Sequence, residues 1–446
     1  MKAVSKFLVS LAALSLVAGC AGGGLFGGGG GKKVTPTIGN RIDIMNTSID
    51  TIADPALENL SVILPPESSN PNWPQSSGNA AKSIGHLALG QTLQRVWTAS
   101  VVGASNRARL GSAPVILNGK LFVVDTEGKI SAFDAATGAK IWSTQIETTK
   151  DGRPSAFGGG VSADGDMVYA TNGVGDVSAL KADSGQMVWK KRPAGPLRGA
   201  PTISNGNVYV MTQDNQIYAL RAADGQNEWN ESGPVGVSGI FGVAAPAAAQ
   251  GTVIAGYSTG ELAAYRYENG RSLWNDSLSR TSFSTSVSTL TDIDADPVID
   301  DRGRVFALGQ GGRMASYQLV TGQRIWEISI AGITTPIVSG EWVFALTSDA
   351  KLLCVQRASG KIRWVSQLQR FKKETKKVGA ITWRGPVLAG GRLIVANGEG
   401  EVWSIGTAEG SANLIFDVKN PVSVSPVVAG GMLYILDDSG TISAFR

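Results

Sequence analysis

Two distant stretches decide the fold: residues 113–142, APVILNGKLFVVDTEGKISAFDAATGAKIW, and residues 335–364, TPIVSGEWVFALTSDAKLLCVQRASGKIRW. Each reads as a short apolar strand, a glycine turn, a second strand, a polar turn, a third strand, and then x-G-x-x-x-W opening a fourth strand. Four short strands per unit, repeated at a period of about 40–50 residues, are typical of the blades of a β-propeller.

The spacing inside the unit is nearly constant. From the first-strand proline to the tryptophan it is 28 residues in four units, and 28 again where valine replaces the proline. Two other units have 29 and 30, the latter with phenylalanine in place of tryptophan. The pairs are Pro114–Trp142, Val161–Trp189, Pro201–Trp229, Pro246–Trp274, Pro297–Trp326, Pro336–Trp364 and Pro386–Phe416. Chance would not hold this register over seven units.

Two fragments complete an eighth unit. Residues 425–446 supply three strands, and Trp97 marks a fourth strand without its first three. We therefore predict an all-β, eight-bladed propeller of four-stranded antiparallel blades, closed by the N- and C-terminal strands in one blade, which leaves no open sheet edge. The tryptophans are interpreted as packing wedges between blades.

A glycine stands four residues before the tryptophan in six units. It marks the turn into the last strand, where a positive φ angle is expected, and glycine adopts that conformation without strain. These glycines are Gly138, Gly185, Gly225, Gly270, Gly322 and Gly360.

The first residues read as a lipoprotein leader. Residues 1–19 have two lysines and a short apolar stretch, and LVAGC (16–20) resembles a bacterial lipobox. This resemblance implies cleavage before Cys20 and its acylation, with residues 20–31 as a glycine-rich tether. Ala21, where aspartate often signals inner-membrane retention, favours the outer membrane. The alternative is an ordinary secretory signal. The other cysteine, Cys354, lies in an apolar strand and is expected to be a buried thiol without a disulfide.

Residues 32–90 show no periodicity and are interpreted as an irregular arm that crosses the propeller surface or stays mobile, ahead of a propeller at 91–446. Within it, 57–66 (LENLSVILPP) is apolar enough to pack on the propeller. A formal net charge of +4, about +2 after loss of the leader lysines, gives no sign of nucleic-acid binding.

The residues offer little for catalysis. The single histidine, His86, lies in the arm, so neither a serine–histidine–aspartate arrangement nor a zinc site is expected. A structural or solvent-facing role suits it better. The run GGG at 158–160 lacks a P-loop lysine and reads as a turn.

Three alternating aspartates, Asp292, Asp294 and Asp296, form the strongest candidate site. An EF-hand is excluded, because its sixth position would be Pro297 and its twelfth Gly303. They occupy the longest connector between blades, which follows the blade at residues 246–274. The connector that precedes this blade carries GVSGIFGVAAP (236–246), so the two connectors flank one blade. An apolar pair beside an acidic cluster is typical of a protein-contact surface. The alternative is that the aspartates cap a turn.

The tandem G-x-x-x-W units resemble the PQQ-type repeats of quinoprotein dehydrogenases, and with the lipobox they are similar to the BamB family of the outer-membrane β-barrel assembly machinery. The resemblance covers residues 97–446 and implies docking on the periplasmic domains of BamA, the membrane-embedded component. LTDIDADP matches the family's paired aspartates at Asp292 and Asp294. Ile240 keeps an apolar family position, whereas Phe241 stands where some members have arginine. The long arm departs from the family.

We therefore predict a non-enzymatic scaffold lipoprotein on the periplasmic side of the outer membrane, without catalytic residues, cofactor or metal. It would be a monomer within a hetero-oligomeric complex, and nascent outer-membrane strands are further expected partners through β-augmentation. Two alternatives stay open: a PQQ-dependent dehydrogenase, which the absence of a Cys-Cys pair and of insertions disfavours, and a scaffold of another envelope complex. The basic segment 370–377 (RFKKETKK) reads as a solvated loop, or as a contact for anionic lipid or an acidic partner.

Overall fold

The computed structural model describes residues 51–149, 152–234, 244–279 and 291–446. It confirms the eight-bladed propeller: eight four-stranded antiparallel sheets follow one another along the chain, with the strands of each sheet in sequential order except in the closing blade. Blade 1 contains β2 (Val115–Leu117), β3 (Lys120–Val124), β4 (Lys129–Asp134) and β5 (Lys140–Gln145), and blade 2 contains β6 (Val161–Asp164), β7 (Met167–Thr171), β8 (Val177–Lys181) and β9 (Met187–Lys191). Blade 3 contains β10 (Leu197–Ser204), β11 (Asn207–Thr212), β12 (Gln216–Arg221) and β13 (Asn227–Ser232). Blade 4 contains β14 (Ala247–Ala249), β15 (Thr252–Gly256), β16 (Glu261–Arg266) and β17 (Ser272–Ser277).

Blades 5 to 7 contain β18 (Val298–Ile299), β19 (Arg304–Gly309), β20 (Arg313–Gln318), β21 (Arg324–Ile328); β22 (Ile337–Ser339), β23 (Trp342–Leu346), β24 (Lys351–Gln356), β25 (Ile362–Gln367); and β28 (Trp383–Ala389), β29 (Arg392–Asn397), β30 (Glu401–Gly406), β31 (Ala412–Asp417). A separate hairpin, β26 (Phe371–Lys373) and β27 (Val378–Ala380), lies between blades 6 and 7. Short 3₁₀ turns span Pro55–Leu57, Arg153–Ser155 and Glu374–Lys376. Within these described ranges no helix is long and apolar enough to cross a membrane.

Blade 8 closes the ring as predicted. It contains β32 (Val427–Ala429), β33 (Met432–Leu436) and β34 (Thr441–Phe445) from the C-terminus, and β1 (Arg95–Ser100) pairs antiparallel with β34. The first strand of the propeller is therefore held by β34, since β1 has no other strand partner in this sheet.

The tryptophans join neighbouring blades. The indole Nε1 of Trp97 donates to the carbonyl of Ala135 in the next blade at 3.1 Å, and six other blade tryptophans repeat this contact one blade further on each time: Trp142 to Ala182, Trp189 to Ala222, Trp229 to Tyr267, Trp274 to Leu319, Trp326 to Arg357 and Trp364 to Thr407. Buried apolar side chains fill the same gaps; one cluster combines Val298 and Phe306 of blade 5 with Val343 and Leu353 of blade 6. The core therefore lies between blades.

The predicted positive φ angles are present. The φ angle is +74° at Gly138, +69° at Gly185 and +70° at Gly225, and it lies in the same range at the other three predicted positions. A side chain there would also collide with the tryptophan of the preceding blade: a Cβ on Gly138 would lie 2.5 Å from Trp97. Glycine is thus needed both for the turn and for the wedge.

Residues 51–64 run along the outermost strand of blade 6. The backbone N–H of Asp54 donates to the carbonyl of Ile362 at 2.7 Å, and Arg363 Nε donates to the carbonyl of Leu60 at 2.8 Å. Val62 and Leu64 are half-buried against the apolar cluster of blades 6 and 7. Part of the apolar stretch 57–66 thus packs on the propeller.

Residues 65–91 cross the ring where the innermost strands end. Their hydrogen bonds reach the innermost strand of one blade after another: Trp73 with Ile116, Pro74 with Ala163, Gln75 with Ile203, Ala80 with Ala248, Ala81 with Ile299, Leu87 with Leu388, and Asn70 with Val428. Blade 6 is reached by Pro65, which lies against the turn at Gly340. This part of the arm therefore covers one end of the central channel.

Candidate functional site

The aspartate segment forms the connector from β17 of blade 4 to β18 of blade 5, and its described part begins at Thr291. The Ile293 N–H donates to the carbonyl of Tyr257 at 3.2 Å, and the Gln310 N–H donates to the carbonyl of Asp292 at 2.9 Å. Ile293 and Ala295 are buried in the clusters on either side of blade 5. These two apolar anchors between the aspartates hold the segment firmly against the ring.

The three carboxylates are buried. Asp292 is 0% exposed, Asp294 4% and Asp296 3%. Asp296 accepts hydrogen bonds from Ser76 and Ser77 of the arm, at 2.7 and 2.9 Å, and from the Ala245 N–H at 2.6 Å. Asp296 therefore joins the arm to two connectors, a structural role, and the cluster is not a solvent-facing acidic surface.

A buried lysine of the arm lies behind Asp296. Lys82 is 1% exposed, and its Nζ donates to Thr202 Oγ1 at 3.0 Å, which in turn donates to the carbonyl of Pro246 at 2.6 Å. Burial lowers the pKa of Lys82 to about 8, although the Asp296 carboxylate acts in the opposite direction. This network fastens the arm to blades 3 and 4, and the sequence offered no signal for it, since Lys82, Ser76 and Ser77 belong to a non-periodic stretch.

A cavity occupies the central channel between the arm and the start of the innermost strands. Trp73, Ser76 and Ser77 of the arm line it, together with residues from the starts of several blades: Leu110–Val115, Val161, Ala200, Asp294, Asp296, Ile333–Thr335, Ile337, Arg384–Val387 and Ser423–Val427, and also Arg109. The arm therefore forms one end of this chamber.

Two arginines and two aspartates, Arg109, Arg384, Asp294 and Asp296, are the charged residues that line this chamber. Arg384 Nε donates to the carbonyl of Ser423 at 2.7 Å. Burial lowers the pKa of the Arg384 guanidinium, the carboxylates of Asp294 and Asp438 raise it, and Arg109 lowers it again. Asp294 therefore balances positive charge inside the channel, an electrostatic role that its sequence position did not reveal.

The described ranges contain no group of three or more histidine, cysteine, aspartate or glutamate side chains arranged to hold a metal ion. His86 is 8% exposed; its Nδ1 lies 2.8 Å from the carbonyl of Pro65, and its Nε2 accepts the Gly391 N–H at 2.9 Å. Since Nε2 is an acceptor, the Nδ1 carries the proton, and His86 acts as a structural link between the arm and blade 7. Cys354 is buried, and burial raises the pKa of its thiol.

Some predicted site residues lie outside the described ranges: Cys20, and the apolar pair Ile240 and Phe241. Their connector resumes at Ala244, next to Ala245, whose N–H binds Asp296. The two predicted connectors therefore do meet, through Asp296.

Comparison with known proteins agrees with this architecture. The sequence matches the family model described as "Outer membrane protein assembly factor BamB" over residues 87–156, 126–366 and 365–446. A relative from Yersinia pestis with that name is 29% identical over 357 residues, covering 79% of this chain and 88% of the relative.

Two solved structures share the fold. The crystal structure of BamB from Moraxella catarrhalis superposes with a TM-score of 0.67 at 18% identity, covering 80% of this chain and all of that chain. The quinohemoprotein alcohol dehydrogenase from Comamonas testosteroni superposes with a TM-score of 0.65 at 13% identity, covering 84% of this chain and 80% of that chain. At these identities the likeness concerns the propeller alone.

Proposed function

Because the chain belongs to the BamB family of outer membrane protein assembly factors, we propose that it is a non-enzymatic scaffold of the outer-membrane β-barrel assembly machinery and assists the insertion of outer-membrane proteins. The observation that carries this proposal is the family match, which extends over the whole propeller from residue 87 to residue 446. The buried channel network adds support, because its charged groups serve to hold the arm and connectors in place.

Attachment to the membrane is proposed to run through Cys20. The lipobox at 16–20 supports this, and acyl chains on one residue at the N-terminus would hold the propeller on the periplasmic side of the outer membrane. Mass spectrometry of the mature N-terminal peptide tests it: a diacylglyceryl-modified Cys20 is expected, and an unmodified cysteine refutes the anchor.

The partner is proposed to be BamA, docking on the connectors that flank blade 4. Ile240 and Phe241 supply the apolar part of this contact. Asp292 and Asp294 are buried in the chain itself, so we assign them the task of holding the connector in its binding conformation, with Asp294 acting against the arginines of the channel.

A membrane pull-down with the tagged full-length chain tests this assignment. The parent is expected to recover BamA, and Asp292→Ala/Asp294→Ala is expected to lose it while staying folded and membrane-bound. A matched control, Asp183→Ala/Asp214→Ala, removes two exposed carboxylates from blades 2 and 3 and should recover BamA like the parent. Circular dichroism of all three proteins separates loss of contact from loss of fold.

Each outcome decides one statement. Recovery of BamA by the double variant would show that Asp292 and Asp294 are not needed for the contact with BamA. The proposal that the chain is a scaffold would stand. No recovery by the parent would overturn the BamA contact. In that case, dye-linked alcohol oxidation after reconstitution with PQQ and calcium would test the dehydrogenase alternative.

A further inference from the structure

The hairpin β26–β27 concentrates the positive charge of the chain. Residues 370–380 contain five basic residues and one acidic residue, a net charge of +4, which equals the formal net charge of all 446 residues. The remainder of the chain is therefore neutral in sum.

The hairpin has a fixed base and an exposed tip. Trp383 is buried at its base, and its Nε1 donates to the carbonyl of Gln369 at 2.8 Å. Glu374 Oε1 accepts the N–H groups of Arg370 and Phe371 at 2.8 and 3.1 Å, which closes the turn. All residues from 372 to 380 are exposed. A rigid base thus presents a charged tip to the outside.

Three lysines of the tip have no counter-charge. Lys372 pairs with Glu399 at 2.7 Å, whereas Lys373, Lys376 and Lys377 form no ion pair within the described part of the chain. Val378 beside them is 57% exposed. Unpaired lysines around an exposed apolar side chain are suited to a surface of lipid phosphates, where the cations meet headgroups and the apolar group enters the interface.

The same side of the propeller receives the chain from the proposed anchor. Lys351 Nζ donates to Thr51 Oγ1 at 3.0 Å, and Lys351 is the strand partner of Gln367, four residues before the hairpin. The connection from Cys20 to Thr51 is 31 residues long, and a chain of that length can reach up to roughly 100 Å. Attachment through one residue does not by itself fix the orientation of a folded domain, so an orienting contact requires a second site.

We propose that the hairpin at residues 370–380 binds the anionic phospholipid headgroups of the membrane to which the N-terminus is anchored, and so orients the propeller. This proposal rests on the proposed lipid anchor for its biological setting. The contact itself depends only on the lysines, so it can be measured without the anchor.

The test is vesicle sedimentation with the full chain carrying Cys20→Ser, so that no acyl chain contributes. Vesicles contain phosphatidylcholine alone, or with roughly one third phosphatidylglycerol. The unlipidated chain is expected to bind the anionic vesicles and not the neutral ones. Lys373→Gln/Lys376→Gln/Lys377→Gln should weaken binding about 100-fold, since each lysine near an anionic surface contributes a factor of about five.

A matched control removes the same charge elsewhere. Lys140→Gln/Lys191→Gln/Arg271→Gln changes three exposed basic residues of blades 1, 2 and 4 and should bind like the parent. Equal weakening by both triple variants would mean that net charge alone matters, which overturns the assignment to the hairpin.

Two other results also overturn the proposal. Equally strong binding to neutral and anionic vesicles would show that the hairpin does not recognise anionic headgroups. The absence of vesicle binding by the parent would leave an acidic protein as the partner of the hairpin. Both are independent of BamA recovery and of Cys20 modification, so failure here is distinguishable from failure of the proposed function.

Discussion

Replacing Gly138 with alanine tests the central packing claim, that the repeat glycine is required by the tryptophan of the preceding blade. At Gly138 the φ angle is +74°, and a Cβ would lie 2.5 Å from Cε3 of Trp97. Gly119 in the same blade is the matched control. Its φ angle is +72°, but a Cβ there would have nothing within 4 Å. The two substitutions share the backbone strain and differ in the contact.

The magnitudes follow from these contacts. A left-handed alanine costs about 1–2 kcal/mol, partly offset by about 0.4–1 kcal/mol from the stiffer unfolded chain, so Gly119→Ala should cost about 1 kcal/mol. In Gly138→Ala the indole of Trp97 must also move, which costs about 1–3 kcal/mol as overpacking and about 1 kcal/mol for its hydrogen bond to Ala135. We therefore expect Gly138→Ala to be less stable than Gly119→Ala by about 2–4 kcal/mol.

The assay is urea unfolding followed by tryptophan fluorescence and by far-ultraviolet circular dichroism. Coincident transitions permit comparison of the free energies of unfolding. Equal destabilisation by the two substitutions would refute the reasoning, since it would show that the repeat glycine serves the turn alone. In a third variant, Trp97→Leu/Gly138→Ala, the loss in free energy of unfolding should be smaller than the sum of the losses in the two single variants. The smaller leucine side chain leaves room for the added methyl group.

Three other predictions concern buried polar groups and the thiol. The pKa of Lys82 is lowered to about 8 in the folded state, so the unfolded chain binds more protons between about pH 8 and 10.5. The free energy of unfolding should therefore rise by about 3 kcal/mol across that range. Urea titrations at several pH values should show no such rise for Lys82→Met, and a similar rise in this variant would contradict the prediction. Asp300→Ala should lower the free energy of unfolding by about 2–4 kcal/mol, because it removes the buried partner of Arg357, which keeps its contact with the exposed Asp301, and the acceptor of the N–H groups of Arg302 and Arg304. Thermal unfolding measures this, and a loss under about 1 kcal/mol would refute the pairing. Cys354 should resist alkylation by iodoacetamide in the native protein and react in urea, because burial raises the pKa of its thiol; rapid labelling of the native protein would show that its strand opens.

The propeller was predictable because its information is local and repeated. A constant spacing between the first-strand proline and the tryptophan gave the blades, and the unmatched Trp97 with the incomplete C-terminal unit gave the closing blade, which β1 and β34 form. The sequence could not show that Gly138 meets Trp97 instead of Trp142, the tryptophan four residues later. That pairing is between blades, and only the closed ring defines it.

The site was predictable in place but not in environment. The long connector correctly put the aspartates between blades 4 and 5. The partners of Asp296 include Ser76 and Ser77, more than 200 positions earlier in the chain. Several blades offer the arm the N–H group of the same innermost-strand position, but the arm residues that accept these hydrogen bonds are unevenly spaced, so periodicity carries no information about its course.

The two proposed contacts can operate together because they use different connectors of one ring. The aspartate segment joins blades 4 and 5, and the basic hairpin joins blades 6 and 7. Connectors two blades apart in an eight-bladed ring are separated by about 90° around the axis. In a propeller each such connector leaves an outermost strand and enters an innermost one, so both emerge on the same face. Both proposed contacts thus use the connector face of the propeller, and the arm covers the opposite end of the channel.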